Sequence, residues 1–108
     1  MTKHIPLEKT ITNNILKYLN GMDGEIRARK IPGGPYGGGW PDILCVVEGY
    51  AVFFEVKRPK VGKLTDLQRD EMRKWQDAGA WCYVVRSVDD VQEALFELSR
   101  YALQTISP

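Results

Sequence analysis

The sequence predicts an α/β fold, a mixed sheet of about four strands flanked by helices, with its elements in the order α-β-β-β-α-β-α. Three observations lead there. Apolar residues recur at helical spacing in three stretches. Short runs of β-branched and aromatic residues lie between them, and glycine or proline marks most changes of pattern.

Leu7, Ile11, Ile15, Leu19 and Met22 share one helical face, so a first helix should start near Pro6 and stop at Asn20-Gly21. Glu25 to Ile31 is a short polar strand carrying Arg27, Arg29 and Lys30. The glycine-rich stretch from Gly33 to Gly39 follows as a loop. In DILCVVEGYAVFFEVKRP two apolar runs surround Glu48-Gly49, and Pro59 stops the second. This predicts a hairpin of two buried strands, apolar on both faces and therefore covered on both sides. Thr65 opens a helix that runs to about Ala78, with Gly79 as its stop. Trp81 to Arg86 is a further strand. Ser87 caps a last amphipathic helix whose apolar face holds Val91, Ala94, Leu95, Leu98 and Ala102. The strand–helix–strand step from Val52 to Val85 predicts a right-handed parallel crossover, which makes the sheet mixed.

The length suits one domain over residues 1–108. A hydrophobic share of 44% is enough for a core, while no apolar run is long enough for a bilayer span. MTKHIPLEKT lacks the apolar centre of a signal peptide, so a cytoplasmic location is expected. Cys45 and Cys82 each sit inside an apolar run and read as reduced core residues. A net charge of +1 argues against indiscriminate polyanion binding, but the charge is unevenly placed. Residues 1–60 hold nine Lys/Arg against six Asp/Glu (+3), and residues 61–108 hold six against eight (−2). Phosphates, if bound, should meet the first half.

The hairpin gathers the chemistry. If it turns at Glu48-Gly49 without a bulge, facing residues have numbers that sum to 97, so Val47 faces Tyr50, Leu44 faces Phe53 and Asp42 faces Glu55. Opposed side chains in such a pair have Cβ atoms about 4.5–5.5 Å apart. Lys57 shares the face of Glu55 by the period-two rule. Opposed carboxylates repel, and burial raises the cost further. A hard divalent cation such as Mg²⁺ relieves both, because it takes oxygen ligands and needs few from the protein. It would also polarise a phosphate oxygen and activate water, with Lys57 steadying the charge that develops. The bland alternative makes Asp42 the cap of a strand start and Glu55–Lys57 an exposed ion pair.

These residues carry a resemblance. Pro41-Asp42 followed by Glu55-Val56-Lys57 resembles the PD-(D/E)XK nuclease motif. With Glu8 in an early helix, Gly39-Trp40-Pro41-Asp42, and Gln68 after a basic loop, the chain is similar to the VRR-NUC (virus-type replication-repair nuclease) family over residues 5 to 96. The resemblance implies a restriction-endonuclease-like fold and a DNA endonuclease dependent on Mg²⁺ or Mn²⁺. It adds Glu8 and the Val56 carbonyl to the metal ligands and Gln68 to the active site. It further implies a homodimer acting on branched DNA such as four-way junctions; apolar or aromatic residues left over from the core make the last helix (Leu95 to Leu103) a candidate dimer surface. Glu8 can also be read as a first-turn partner of the helix dipole, although it lies on the face of Ile11 and Ile15 and so should point coreward. Thr65-x-x-Gln68 is also a capping box.

Arg27, Arg29, Lys30, Arg58, Lys60 and Lys63 flank the site in sequence and are candidate phosphate contacts. The glycine loop lacks G-x-x-x-x-G-K-[ST], so a nucleotide cofactor is not expected; a flap bearing Tyr36 and Trp40 is. His4 has no assigned role. Two other functions compete: a catalytically silent DNA-binding module, and a nuclease subunit of a larger replication-repair complex.

Overall fold

The computed structural model describes residues 4–32 and 38–105, with side chains as far as residue 102. The elements follow the expected order: α1 (Glu8–Asn20), β1 (Ile26–Lys30), β2 (Ile43–Val47), β3 (Tyr50–Val56), α2 (Asp66–Asp77), β4 (Trp81–Val85) and α3 (Val88–Thr105). They build one four-stranded sheet in the order β1-β2-β3-β4. The first two pairings are antiparallel, and β3 pairs parallel with β4 across α2. The sheet is therefore mixed, as the crossover argument requires.

The β2–β3 turn follows from its two central residues. Glu48 (φ 48°) and Gly49 (φ 88°) are both left-handed, the geometry that lets a two-residue loop match the twist of the strands. The register then follows the sum of 97 from Val47–Tyr50 to Ile43–Phe54.

The main core lies on one face of the sheet. Ile11, Ile15 and Leu19 of α1 and Val91, Ala94 and Leu98 of α3 pack on Ala28, Ile43, Cys45, Val52, Phe54, Val56 and Val85. α2 takes the opposite face, with Trp75 against Phe53 at a ring separation of 4.9 Å. The two cysteines are free, and Cys45 is buried. Burial pushes both thiols up to about 11, so they behave as small apolar side chains.

Three expectations are corrected. β3 is buried on both faces from Val52 onward, but β2 is not: Leu44 and Val46 are 38% and 44% exposed. The reason is that α2 packs against β4 and, through Trp75 on Phe53, against β3, and makes no comparable contact with β2. Pro6 precedes α1 rather than opening it, and Leu7 is the N-cap. Met22 lies beyond the end of α1 and is exposed. No helix among the described residues is long and apolar enough to cross a membrane.

Candidate active site

The acid pair forms where β2 begins and β3 ends. Asp42 follows buried Pro41 and is oriented by three hydrogen bonds. Its N–H donates to the Phe54 carbonyl (3.1 Å), its carbonyl accepts from Ile31 N–H (2.7 Å), and its Oδ2 accepts from Val56 N–H (2.7 Å). The Asp42 side chain thus takes a β3 amide just past the last ladder pair, so the strand-cap reading holds. It is compatible with chemistry, because the same contact aims the carboxylate at Glu55.

Glu55 is only 1% exposed and Lys57 8%. Glu55 Oε1 accepts from Gln68 Nε2 at 2.8 Å and lies 3.6 Å from Lys57 Nζ. Lys57 is anchored by its own N–H, which donates to the Val85 carbonyl (3.0 Å). The other Glu55 oxygen, Oε2, is buried and accepts no N–H among the described residues. An exposed Glu55–Lys57 pair is therefore ruled out. Gln68 caps α2 and also reaches Glu55. Its Oε1 and backbone N–H complete the capping box with Thr65, which leaves the amide NH₂ free to hold Glu55.

Burial is the largest influence on Glu55, followed by the Asp42 charge. Together they overcome the lowering effect of Lys57 and push the carboxyl from 4.5 up to about 8. A carboxyl raised by folding keeps its proton in the native state over a range where the unfolded chain has lost it. Stability is then fully present below pH 4.5 and is lost as the pH rises toward about 8. The metal-free protein should accordingly melt at falling temperature across that window, and Glu55→Gln should flatten the slope. An unchanged slope in thermal melts of the variant would place the titration elsewhere.

A divalent cation fits this site by the chemistry of its donors. Two carboxyl groups converge, the Asp42 side chain lying close enough to share a hydrogen bond with a protonated Glu55, and among the described residues no N–H group satisfies Glu55 Oε2. Val56 turns its buried side chain to the opposite face, and its N–H is held by Asp42. Glu8 does not join them. It is exposed, and no group of three or more His, Cys, Asp or Glu assembles among the described residues. The expectation that it points coreward is corrected: as the first residue of α1 it lies one turn beyond Ile11, where the core ends.

Register sorts the basic residues. Ala28 pairs with Cys45 on the buried core face, so Arg27 and Arg29 lie on the face of the acid pair, while Lys30, paired with Ile43, lies on the other. The Arg58 guanidinium is committed to the carbonyls of Pro6 (3.0 Å) and Ile5 (3.1 Å), which ties the approach to α1 against the end of β3. Lys60 and Lys63 are exposed on the loop after Lys57. Tyr36 and most of the glycine stretch lie outside the described residues. The rest of that stretch meets α2: a Cβ on Gly39 (φ 81°) would lie 2.8 Å from the Leu67 carbonyl oxygen, so only glycine fits there. Trp40 is exposed.

Arg86 is the residue that sequence reasoning missed. Its Nη1 donates to the carbonyls of Arg58 (2.7 Å) and Gly62 (2.8 Å), holding closed the loop that follows Lys57. The available signal was a lone cation ending an otherwise apolar strand.

Sequence comparison finds no matching protein-family model and no similar curated protein. Comparison of folds does find relatives. A solved structure described as a VRR_NUC domain protein superimposes with a TM-score of 0.70 at 14% identity, over 85% of this chain and 87% of the other. A second, described as a VRR_NUC domain, gives 0.57 at 24% identity, over 82% and 89%. At such identities the likeness is one of architecture, and the sheet and helices of this chain form a VRR_NUC-type fold.

Proposed function

We propose that this protein is a DNA endonuclease that uses Mg²⁺ or Mn²⁺, held by Asp42 and Glu55, to hydrolyse phosphodiester bonds. The observation that carries this reading is the buried Oε2 of Glu55, which accepts no N–H among the described residues, with a second carboxylate and a lysine alongside. When bound, such a cation neutralises the acid pair, polarises a phosphate oxygen and lowers the pKa of water. The Val56 carbonyl is assigned to the same site by likeness to the nuclease motif.

The remaining steps belong to this chain. Gln68 and Lys57 both engage Oε1 of Glu55, which leaves Oε2 facing the ligand. The Lys57 ammonium, positioned by the β3–β4 pairing, donates to the attacking water or to the charge growing on the phosphorus oxygens. Arg27, Arg29, Lys60 and Lys63 meet DNA phosphates; such contacts position a duplex without reading its sequence.

A four-way junction needs two symmetric cuts and this domain offers one acid pair, so the active species is a two-fold dimer. Exposed Phe96 and Tyr101 make α3 its candidate surface. The test is a cleavage panel of linear, single-stranded, flapped and four-way DNA with Mg²⁺, Mn²⁺ and chelator. Cleavage should vanish in chelator and return with either metal, and the junction should be cut at paired, symmetric positions. Activity that persists in excess chelator overturns the two-carboxylate mechanism. Binding without cleavage on every substrate would instead favour a silent DNA-binding module.

A further inference from the structure

The sheet face that bears the acid pair is only half covered. α2 packs on β4 and, through Trp75 on Phe53, on β3, and among the described residues nothing comparable covers the β1–β2 half of that face. Its residues come in rows set by the register. Arg29 pairs with Leu44 and Arg27 with Val46, while the neighbouring row beyond Arg29–Leu44 is that of Asp42 and Glu55. Leu44, Val46 and both arginines are exposed. Neither arginine has an ion pair or a side-chain hydrogen bond among the described residues.

We propose that this open half-sheet is the track along which a DNA backbone reaches the acid pair: Arg27 and Arg29 hold phosphates, and the sugars lie over the Leu44–Val46 floor. The proposal rests on the nuclease reading above and adds the direction of the substrate. Charge complementarity selects the occupant. Two unpaired guanidinium groups beside a small apolar floor suit a polyanion with less polar sugar edges, and arginine binds phosphate oxygens bidentately. A second copy of the chain, docked here about a two-fold axis, would oppose like charges.

Spacing gives the track a direction. Successive rows are about 7 Å apart along an antiparallel strand, so the two cations and the acid pair stand in consecutive rows. Lys30 carries the same charge on the same strand but faces the other side of the sheet, which makes it an internal control.

The test is the affinity of wild type and three variants for a labelled duplex oligonucleotide, measured in chelator across a salt series. Each lost phosphate contact should reduce the slope of log K against log salt by about 0.9. Arg27→Ala/Arg29→Ala is expected to reduce it by about 1.8, and Lys30→Ala to leave it unchanged. Leu44→Thr/Val46→Thr replaces exposed strand residues with a good strand former; it should weaken binding several-fold at an unchanged slope, with the same mass in solution. An unchanged slope in the arginine variant, or an equal loss in Lys30→Ala, overturns the track. So does a halved mass in the threonine variant, which would make the floor a self-interface. Wild-type cleavage with Mn²⁺, run in parallel, separates the two failures. If the wild type cuts DNA while the slopes do not move, the track fails and the nuclease reading stands.

Discussion

Lys57→Ala is expected to lower the cleavage rate about 10²–10³-fold, the usual cost of losing one preorganised donor to developing charge, with little change in DNA affinity. Three features set this expectation. The ammonium is almost fully buried, so it contributes little to the electrostatic surface that meets DNA. It lies 3.6 Å from Glu55 Oε1, inside the acid pair rather than on its rim. It also opposes the burial and the Asp42 charge that push the Glu55 carboxyl to about 8. Its removal should therefore move the pH profile of cleavage to higher pH as well as lower the rate. Single-turnover rates and duplex binding, measured on the same preparation at several pH values, check all three. Equal losses of rate and affinity would make Lys57 a plain phosphate anchor.

Asp42 should separate stability from function. Asp42→Asn removes the negative charge that faces Glu55 but keeps a carbonyl oxygen able to accept from Val56 N–H. We expect a variant inactive to background that, without metal, melts at or above the wild-type temperature. Added Mg²⁺ or Mn²⁺ should raise the melting temperature of the wild type and leave the variant nearly unmoved, since a ligand stabilises only a state that binds it. Asp42→Ala is the contrast. It leaves the Val56 amide without its 2.7 Å partner, a loss of about 1–3 kcal/mol. In a domain near 100 residues each kcal/mol corresponds to roughly 4 °C or more in melting temperature. Thermal melts of the three proteins, with chelator and with metal, give the answer. A metal-free Asn variant that melts well below wild type would leave Asp42 a structural cap alone.

The hairpin was legible because a two-residue turn at Glu48-Gly49 leaves one register, and that register alone places Asp42 beside Glu55. The capping box at Thr65 and Gln68 was equally local. What escaped were properties that depend on which element lies over which. The strand sequence of β2 is apolar on both faces, yet Leu44 and Val46 are open because α2 packs on β4 and β3 and makes no comparable contact with β2. Arg58 looked like a phosphate contact, but the fold spends its guanidinium on the carbonyls of Ile5 and Pro6, more than fifty residues away in sequence. Arg86 drew no notice because its partners, the carbonyls of Arg58 and Gly62, lie on another loop.

By itself the sequence determined the element order, the hairpin register and the convergence of Asp42, Glu55 and Lys57, because each rests on periodicities and turn chemistry spanning fewer than twenty residues. Only the tertiary structure decided that Glu55 is buried with one oxygen that accepts no N–H among the described residues, that Gln68 reaches it while keeping its cap, and that Glu8 stands outside the pair. These turn on how the helices are seated against the sheet, and burial is a property of the covering layer, which local sequence patterns do not encode.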